Sequence, residues 1–169
     1  MDNRYLDLME KALSNYTEDD LLAYHKRVCA EGITEHGYPR LASDIGILLA
    51  HGRRRELLPL FLQMFSLCCT DIAHHDRSEH GTGNDFAVLE MIGCLLEVER
   101  AHLFPKETTD GWRALLASID PRRCYDKIDD HSGKDFGNWV LFNAASEQAR
   151  AFAGLTDPEE FLASQLPGQ

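Results

Sequence analysis

The stretch HHDRSEHGTGNDF, residues 74–86, gathers the groups in this chain best suited to chemistry. His74, His75, Asp76, His80 and Asp85 all offer nitrogen or oxygen atoms of the kind that bind divalent metals. Spacing argues against that use. On a helix His74 and His75 point about 100° apart, so one ion cannot take both without a break in the helix. The sequence has no H-E-x-x-H pair, Gly-rich phosphate loop, G-x-S-x-G elbow or Cys–His nucleophile pairing. The stretch therefore reads as a polar loop between two apolar helices, with a cleft-lining role as the second reading. Neither a metal nor a cofactor is expected.

The elements that hold this loop are helices by their spacing. Tyr5, Leu8, Met9, Ala12 and Leu13 recur at three and four residues and make one face of a helix over 5–13. Thr17 opens a second as an N-cap with Asp20 three residues on, and Leu21, Leu22, His25, Val28 and Cys29 form its stripe before Gly32 ends it. Pro39 precedes a third, with Leu41, Ile45, Leu48 and Leu49 inward and Gly52 as its stop. The fourth, ELLPLFLQMFSLCCTDI, is apolar almost all round, and Pro59 is tolerable there because it falls in the first turn.

A fifth, NDFAVLEMIGCLLEVERAHLF, follows the polar loop, and a sixth, ETTDGWRALLASI, offers Trp112, Leu115, Leu116 and Ile119 to a core. Residues 120–135 read as a long loop, since Pro, Gly and Asp dominate it without periodicity. FGNWVLFNAASEQARAFAG, ended by Gly154, and TDPEEFLASQL, with Pro158 in its first turn, complete the pattern. No period-two strand is present. The expectation is an all-α chain of antiparallel helical hairpins, with about eight helices in one domain over 1–169 and its most buried segments at 57–72, 86–98 and 139–152. GND at 83–85 and GNW at 137–139 stand 54 positions apart, and YPRLASDIGILLA reads as a degenerate earlier copy. That separation suits one hairpin per repeat, as in α-solenoids and α/α toroids.

The phrases HGYPRLASDIGILLAHGRR, GNDFAVLEMIGCLLE, WRALLASIDPRRCY and GNWVLFNAASEQARAFAGL are the motifs of a resemblance that spans roughly residues 5–165. They resemble the N-terminal part of large bacterial carbohydrate-active proteins with an (α/α) toroid, the architecture of several uronic-acid polysaccharide lyases and unsaturated-glucuronide hydrolases. Such a toroid closes with more helices than this chain supplies. The resemblance thus implies a partial (α/α) toroid or an α-solenoid-like stack, incomplete alone, that self-associates or continues in a further C-terminal segment. Leu6 and Leu13 of the first helix and Phe161, Leu162 and Leu166 of the last are the candidate open flanks.

The ligand implied is an oligosaccharide or another uronate-containing compound. Uronate lyase chemistry needs a group to neutralise the carboxylate, a base for the C5 proton and an acid for the leaving oxygen. On that reading His80, Tyr125 and His131 exchange protons, Asn84 and Asn138 bind substrate from the helix starts, and Trp139 stacks on a sugar ring. Each has a plainer reading: the asparagines as helix caps, Trp139 as core, and Tyr125 and His131 as loop residues without a chemical task. His25 and His51, near apolar helical faces, read as core or boundary histidines.

Charge and composition limit the alternatives. Twenty-eight acids against 17 Lys and Arg give a net charge of -11, which repels phosphate backbones and anionic membrane surfaces, so neither nucleic acid nor membrane is an expected partner. Arg53, Arg54 and Arg55 read as a solvated start to the fourth helix. The opening MDNRYLDLMEK lacks a basic n-region and apolar run, and Gln63, Ser66, Glu90 and Glu97 interrupt the longest apolar spans. A cytoplasmic location follows as the expectation. The five cysteines, at 29, 68, 69, 94 and 124, have no metal-like spacing and read as reduced structural residues. Two functional classes stay open: a carbohydrate-active domain, and a non-enzymatic helical-repeat module offering a groove to another protein. The first needs the loops that start at His74 and Pro121 to converge on one face.

Overall fold

A computed structural model describes residues 2–34, 37–74, 83–118, 148–157 and 159, with backbone alone at 83–86. Asp2 starts helix α1 (Asn3–Leu13) by accepting the Arg4 N–H at 3.0 Å. Thr17 and Asp20 start α2 (Glu18–Glu31) as a reciprocal capping box, with bonds of 3.2 and 2.9 Å. Gly32, at φ 85°, ends α2 in a conformation that side chains resist.

Then follow α3 (Gly37–Ala50), a single 3-10 turn (Arg55–Leu57), α4 (Leu58–His74), α5 (Gly83–Arg100) and α6 (Lys106–Ala117). Residues 148–152 are again helical. The described residues contain no strand, and the chain is all-α. Two boundaries differ from the periodicity. Helix α3 begins at Gly37 and takes Pro39 into its first turn, where the missing N–H has no partner to lose. Helix α5 stops at Arg100, because His102 enters the left-handed region at φ 51°.

The helices form two rows. In one, α1 packs on α3 and α3 on α5; in the other, α4 packs on α6; and the hairpin partners α3/α4 and α5/α6 join the rows. Direction follows from the paired residues. His51 at the end of α3 meets Glu97 near the end of α5, and Gly46 meets Cys94, so α3 and α5 run parallel. Phe104, just before α6, lies 5.8 Å from Phe61 near the start of α4, while Trp112 lies 4.9 Å from Phe65 further along. Helices α4 and α6 are therefore parallel too, and each hairpin is antiparallel, as its short connection requires.

Three helices end in one and the same cap. Gly52, His102 and Gly154 take φ values of 76°, 51° and 69°. The next residue in each case, Arg53, Leu103 or Leu155, donates its N–H back to Leu48, Val98 or Arg150 at 2.9, 3.3 and 2.8 Å. That pair of features is a Schellman motif. Leu103 and Leu155 supply the apolar residue the motif favours, whereas Arg53 replaces it with ion pairs to Asp7 and Glu10 at 2.6 and 2.9 Å. Arg53 thus ties α1 to the end of α3 and is not merely a solvated helix start.

The core centres on α4. Phe61, Met64, Phe65, Cys68 and Cys69 are fully buried, as are Ile45 and Leu48 of α3 and Met91, Cys94, Leu95 and Val98 of α5. Trp112 packs edge-on against Phe65 and donates its indole N–H to Ser66 at 2.9 Å, which satisfies the ring's polar atom inside a mainly apolar cluster. By length and composition Arg55–His74 could cross a membrane; in this fold half of that window is buried against neighbouring helices. Segments 57–72 and 87–98 are core as expected. Phe152 is 82% exposed, and 139–147 lie outside the described residues.

One face differs from the periodicity. Helix α1 buries Leu6, Met9 and Leu13, and leaves Tyr5 and Leu8 exposed at 51% and 65%. The apolar arc of this helix is wider than α3 can cover, and α3 takes the side centred on Met9. Leu6 and Leu13 are therefore not an open flank.

Gly46 sits where α3, α4 and α5 meet, and a Cβ there would overlap both the Cys94 sulphur and the Phe61 ring. Gly46→Ala should cost about 1–3 kcal/mol, the usual range for overpacking, seen as a lower Tm. His102→Gly should have the opposite sign. Relief of the left-handed Cβ clash, roughly 1–2 kcal/mol, outweighs the extra entropy glycine loses, about 0.5–1 kcal/mol, and a higher Tm would register it.

Candidate functional site

Along α3, Arg40, Asp44, Ile47 and His51 follow one another at four, three and four residues on the side opposite the buried Ala42, Ile45, Gly46 and Leu49. Along α5, Glu90, Gly93 and Glu97 make the matching stripe. The parallel packing of α3 on α5 sets the two stripes side by side. Arg40 is exposed, Asp44, Glu90 and Glu97 are half-buried, and the space a side chain would fill at Gly93 is open. The result is a polar seam on the face of the first row turned away from α4.

Burial sets the electrostatics of this seam. It pushes the Asp44 carboxyl above its ordinary value, and the Arg40 guanidinium offsets only part of the effect. Glu90 is raised in the same way, first by burial, with Arg40 opposing and the Asp44 charge adding. Two carboxyls that hold their protons more tightly than usual beside a permanently charged guanidinium are suited to proton transfer next to a bound anion. At the far end His51 meets Glu97 at 3.4 Å, and Glu97 also takes Arg100 at 2.9 Å.

The end of the seam near Arg40 matters for the residues expected from sequence. Helices α4 and α6 both finish there, at His74 and Ala117, and α3 and α5 both begin there. Arg150 bonds the Ala117 carbonyl at 3.3 Å, so the helical segment at 148–152 re-enters beside the end of α6. The chain positions that carry the segments 75–82 and 119–147 therefore share one end of the stack. Asn84 lies in the first turn of α5, six residues before Glu90, which is about 9 Å along the helix. Its side chain, with His80, Tyr125, His131, Asn138 and Trp139, lies outside the described residues. His74 closes α4 with its ring Nδ1 on the Thr70 carbonyl at 2.7 Å. Among the described residues no group of three or more His, Cys, Asp or Glu is placed to hold a metal ion.

A second polar cluster is structural. His25 is 6% exposed and its Nδ1 lies 2.5 Å from the Tyr38 hydroxyl, which burial keeps protonated and therefore a donor. Burial also lowers the pKa of His25, and a hydrogen bond with Gln63 only partly opposes it, so the ring is neutral at neutral pH. The result is a satisfied core histidine, as its position on an apolar stripe suggests. Cys29 reaches within 3.6 Å of His25 Nε2, one helical turn on, a Cys–His proximity that sequence reading does not register. Cys68, Cys69 and Cys94 are fully buried thiols outside any disulfide.

Sequence reasoning passed over Arg40 and Asp44, and treated Glu90 and Glu97 only as interruptions of an apolar run. The signal was there: charges at i and i+4 in a helix otherwise dominated by Leu, Ile and Ala, and two acids seven apart in the next. No protein-family model matches the chain, and no curated protein or solved structure matches it either.

Because folding raises the proton affinity of Asp44 and Glu90, the folded state binds more protons than the unfolded chain from about pH 4 upward, and stability falls as pH rises through that window. Asp44→Asn should therefore raise the Tm near neutral pH while changing it little near pH 4, a difference that thermal melts at the two pH values will show.

Proposed function

We propose that this chain is a carbohydrate-active domain of (α/α)-toroid type that binds a uronate-containing oligosaccharide along the α3–α5 seam. The observation that carries the reading is the half-buried pair Asp44 and Glu90 beside Arg40, on the open face of a row of parallel helices. Arg40 pairs with the uronate carboxylate by charge-assisted hydrogen bonds. Asp44 and Glu90 supply and take protons at the sugar, a role that their raised proton affinity favours.

Two further observations support the reading. Parallel helices within each row and antiparallel hairpins between rows are the local arrangement of a toroid or solenoid. The seam also opens toward the end of the stack from which the segments with His80, Tyr125, His131, Asn138 and Trp139 depart, and on which Asn84 stands. In this proposal those residues complete the site as proton carriers, carboxylate ligands and a stacking ring.

The test is incubation with uronate polysaccharides and with their unsaturated oligosaccharides, followed by ultraviolet absorbance. A rise with polymer marks a lyase, and a fall with the unsaturated oligosaccharide marks a hydrolase. Arg40→Ala should weaken binding or turnover about 10–100-fold, the worth of a hydrogen bond to a charged group. No change in absorbance with any substrate, and no heat of binding by calorimetry, would sink the proposal.

A further inference from the structure

The three consecutive arginines at 53–55 do not share one task. Arg53 is held by Asp7 and Glu10 at 2.6 and 2.9 Å, and Arg54 by Glu56 at 2.5 Å. The Arg55 guanidinium has neither an ion pair nor a hydrogen bond among the described residues. It lies over Gly52 instead, with Nη2 3.6 Å from where a Cβ would stand, in the wall of a cavity.

That cavity, of about 290 Å³, lies between the α3–α4 connection and the end of α5. Leu49 of α3, Leu58 of α4 and Leu103 beyond α5 supply apolar walls, and Arg55 is the one charged residue lining it among the described residues. Its place is the end of the stack opposite the one from which 75–82 and 119–147 depart, on the α4 side of α3 and away from the seam. Helices α3 and α5 both finish here, and helix C-termini by themselves favour a cation. Their last carbonyls are already bonded: Leu48 and Leu49 accept the N–H groups of Arg53 and Gly52, and Val98 and Glu99 accept those of Leu103 and His102. The acids near the end of α5 are committed as well, Glu97 to His51 and Arg100 and Glu99 to Arg113. A guanidinium beside an apolar cavity is left for a ligand.

We infer that this cavity binds a small apolar carboxylate, its body against Leu49, Leu58 and Leu103 and its head on Arg55. At roughly 30 Å³ for one water's share of liquid volume, the cavity takes about ten non-hydrogen atoms, the size of a medium-chain fatty acid. A guanidinium offers a carboxylate two parallel N–H bonds, which a hydroxyl or an ammonium head cannot accept in that form. The inference does not rest on the carbohydrate reading.

Titration of the whole chain with octanoate, followed by calorimetry and by the leucine methyl signals in NMR, tests it, with octanol and octylammonium as controls for the head group. Octanoate should bind with a dissociation constant on the order of 0.1–1 mM and shift the methyls of Leu49, Leu58 and Leu103. The two controls should bind at least about 10-fold more weakly, the worth of a hydrogen bond to a charged group. Arg55→Gln, at an exposed position, should keep its helical circular dichroism, weaken octanoate at least about 10-fold and leave octanol unchanged. Ala101→Leu, which fills the cavity and keeps the charge, should weaken octanoate and octanol together. No octanoate binding up to about 10 mM would overturn the inference. So would octanol binding as tightly as octanoate, or an Arg55→Gln variant that holds octanoate like the wild type. Self-association that Arg55→Gln abolishes, with no response to octanoate, would overturn it too and give the cavity to a second copy of the chain.

Discussion

The absence of a side chain at Gly46 is the constraint on which the rest of this structure depends. At that position α3 comes close enough to α5 and α4 for the Cys94 sulphur and the Phe61 ring to occupy the space a Cβ would need. Close approach brings α3 and α5 into register along their length, from Asp44 near Glu90 to His51 beside Glu97. The same contact lets Phe61 reach Phe65, Phe104 and Trp112, which joins the second row to the first. Dispersion contacts weaken steeply with separation, so a gap here would loosen both the core and the seam on the far face of α3.

Repetition gives the stack its regular form. Each helix of the first row after α1 ends in a left-handed residue and a bond back across the last turn, so the chain leaves every such helix in the same direction. The intervals between these caps, 50 and 52 residues from Gly52 to His102 to Gly154, fit one hairpin each. They lie close to the 54-residue spacing of the Gly-Asn phrases. Arg113 joins two of these caps directly, holding Glu99 of α5 and the Ala153 carbonyl with one guanidinium. A planar fork with five donors suits that task better than a single ammonium would.

The seam owes its chemistry to the same packing that makes the core. Asp44 and Glu90 sit one turn or less from fully buried side chains, so they are only partly solvated and hold protons more strongly than exposed carboxylates do. Arg40, at the edge, keeps its contact with water and with any anion that approaches. Function on this face would therefore draw on a compromise in stability. The carboxyls are tolerated by the fold, and their removal relieves a cost that burial imposes.

Among the described residues, the sequence by itself determined the helices. Their spacing, the Thr17–Asp20 box, the stops at Gly32 and Gly154 and the all-round apolar character of α4 were legible because each is a local property of a few neighbouring residues. The core status of His25 and of Cys68, Cys69 and Cys94 was legible for the same reason. Which half of the apolar arc on α1 would be covered was not, since Tyr5 and Leu8 are as hydrophobic as the residues that α3 buries. Only the tertiary structure decided that choice, through the position of α3. It also decided the seam, because Arg40 and Asp44 lie some fifty residues from Glu90. Their shared burial and mutual field arise when α3 and α5 pack in parallel, and no spacing along the chain records that distance.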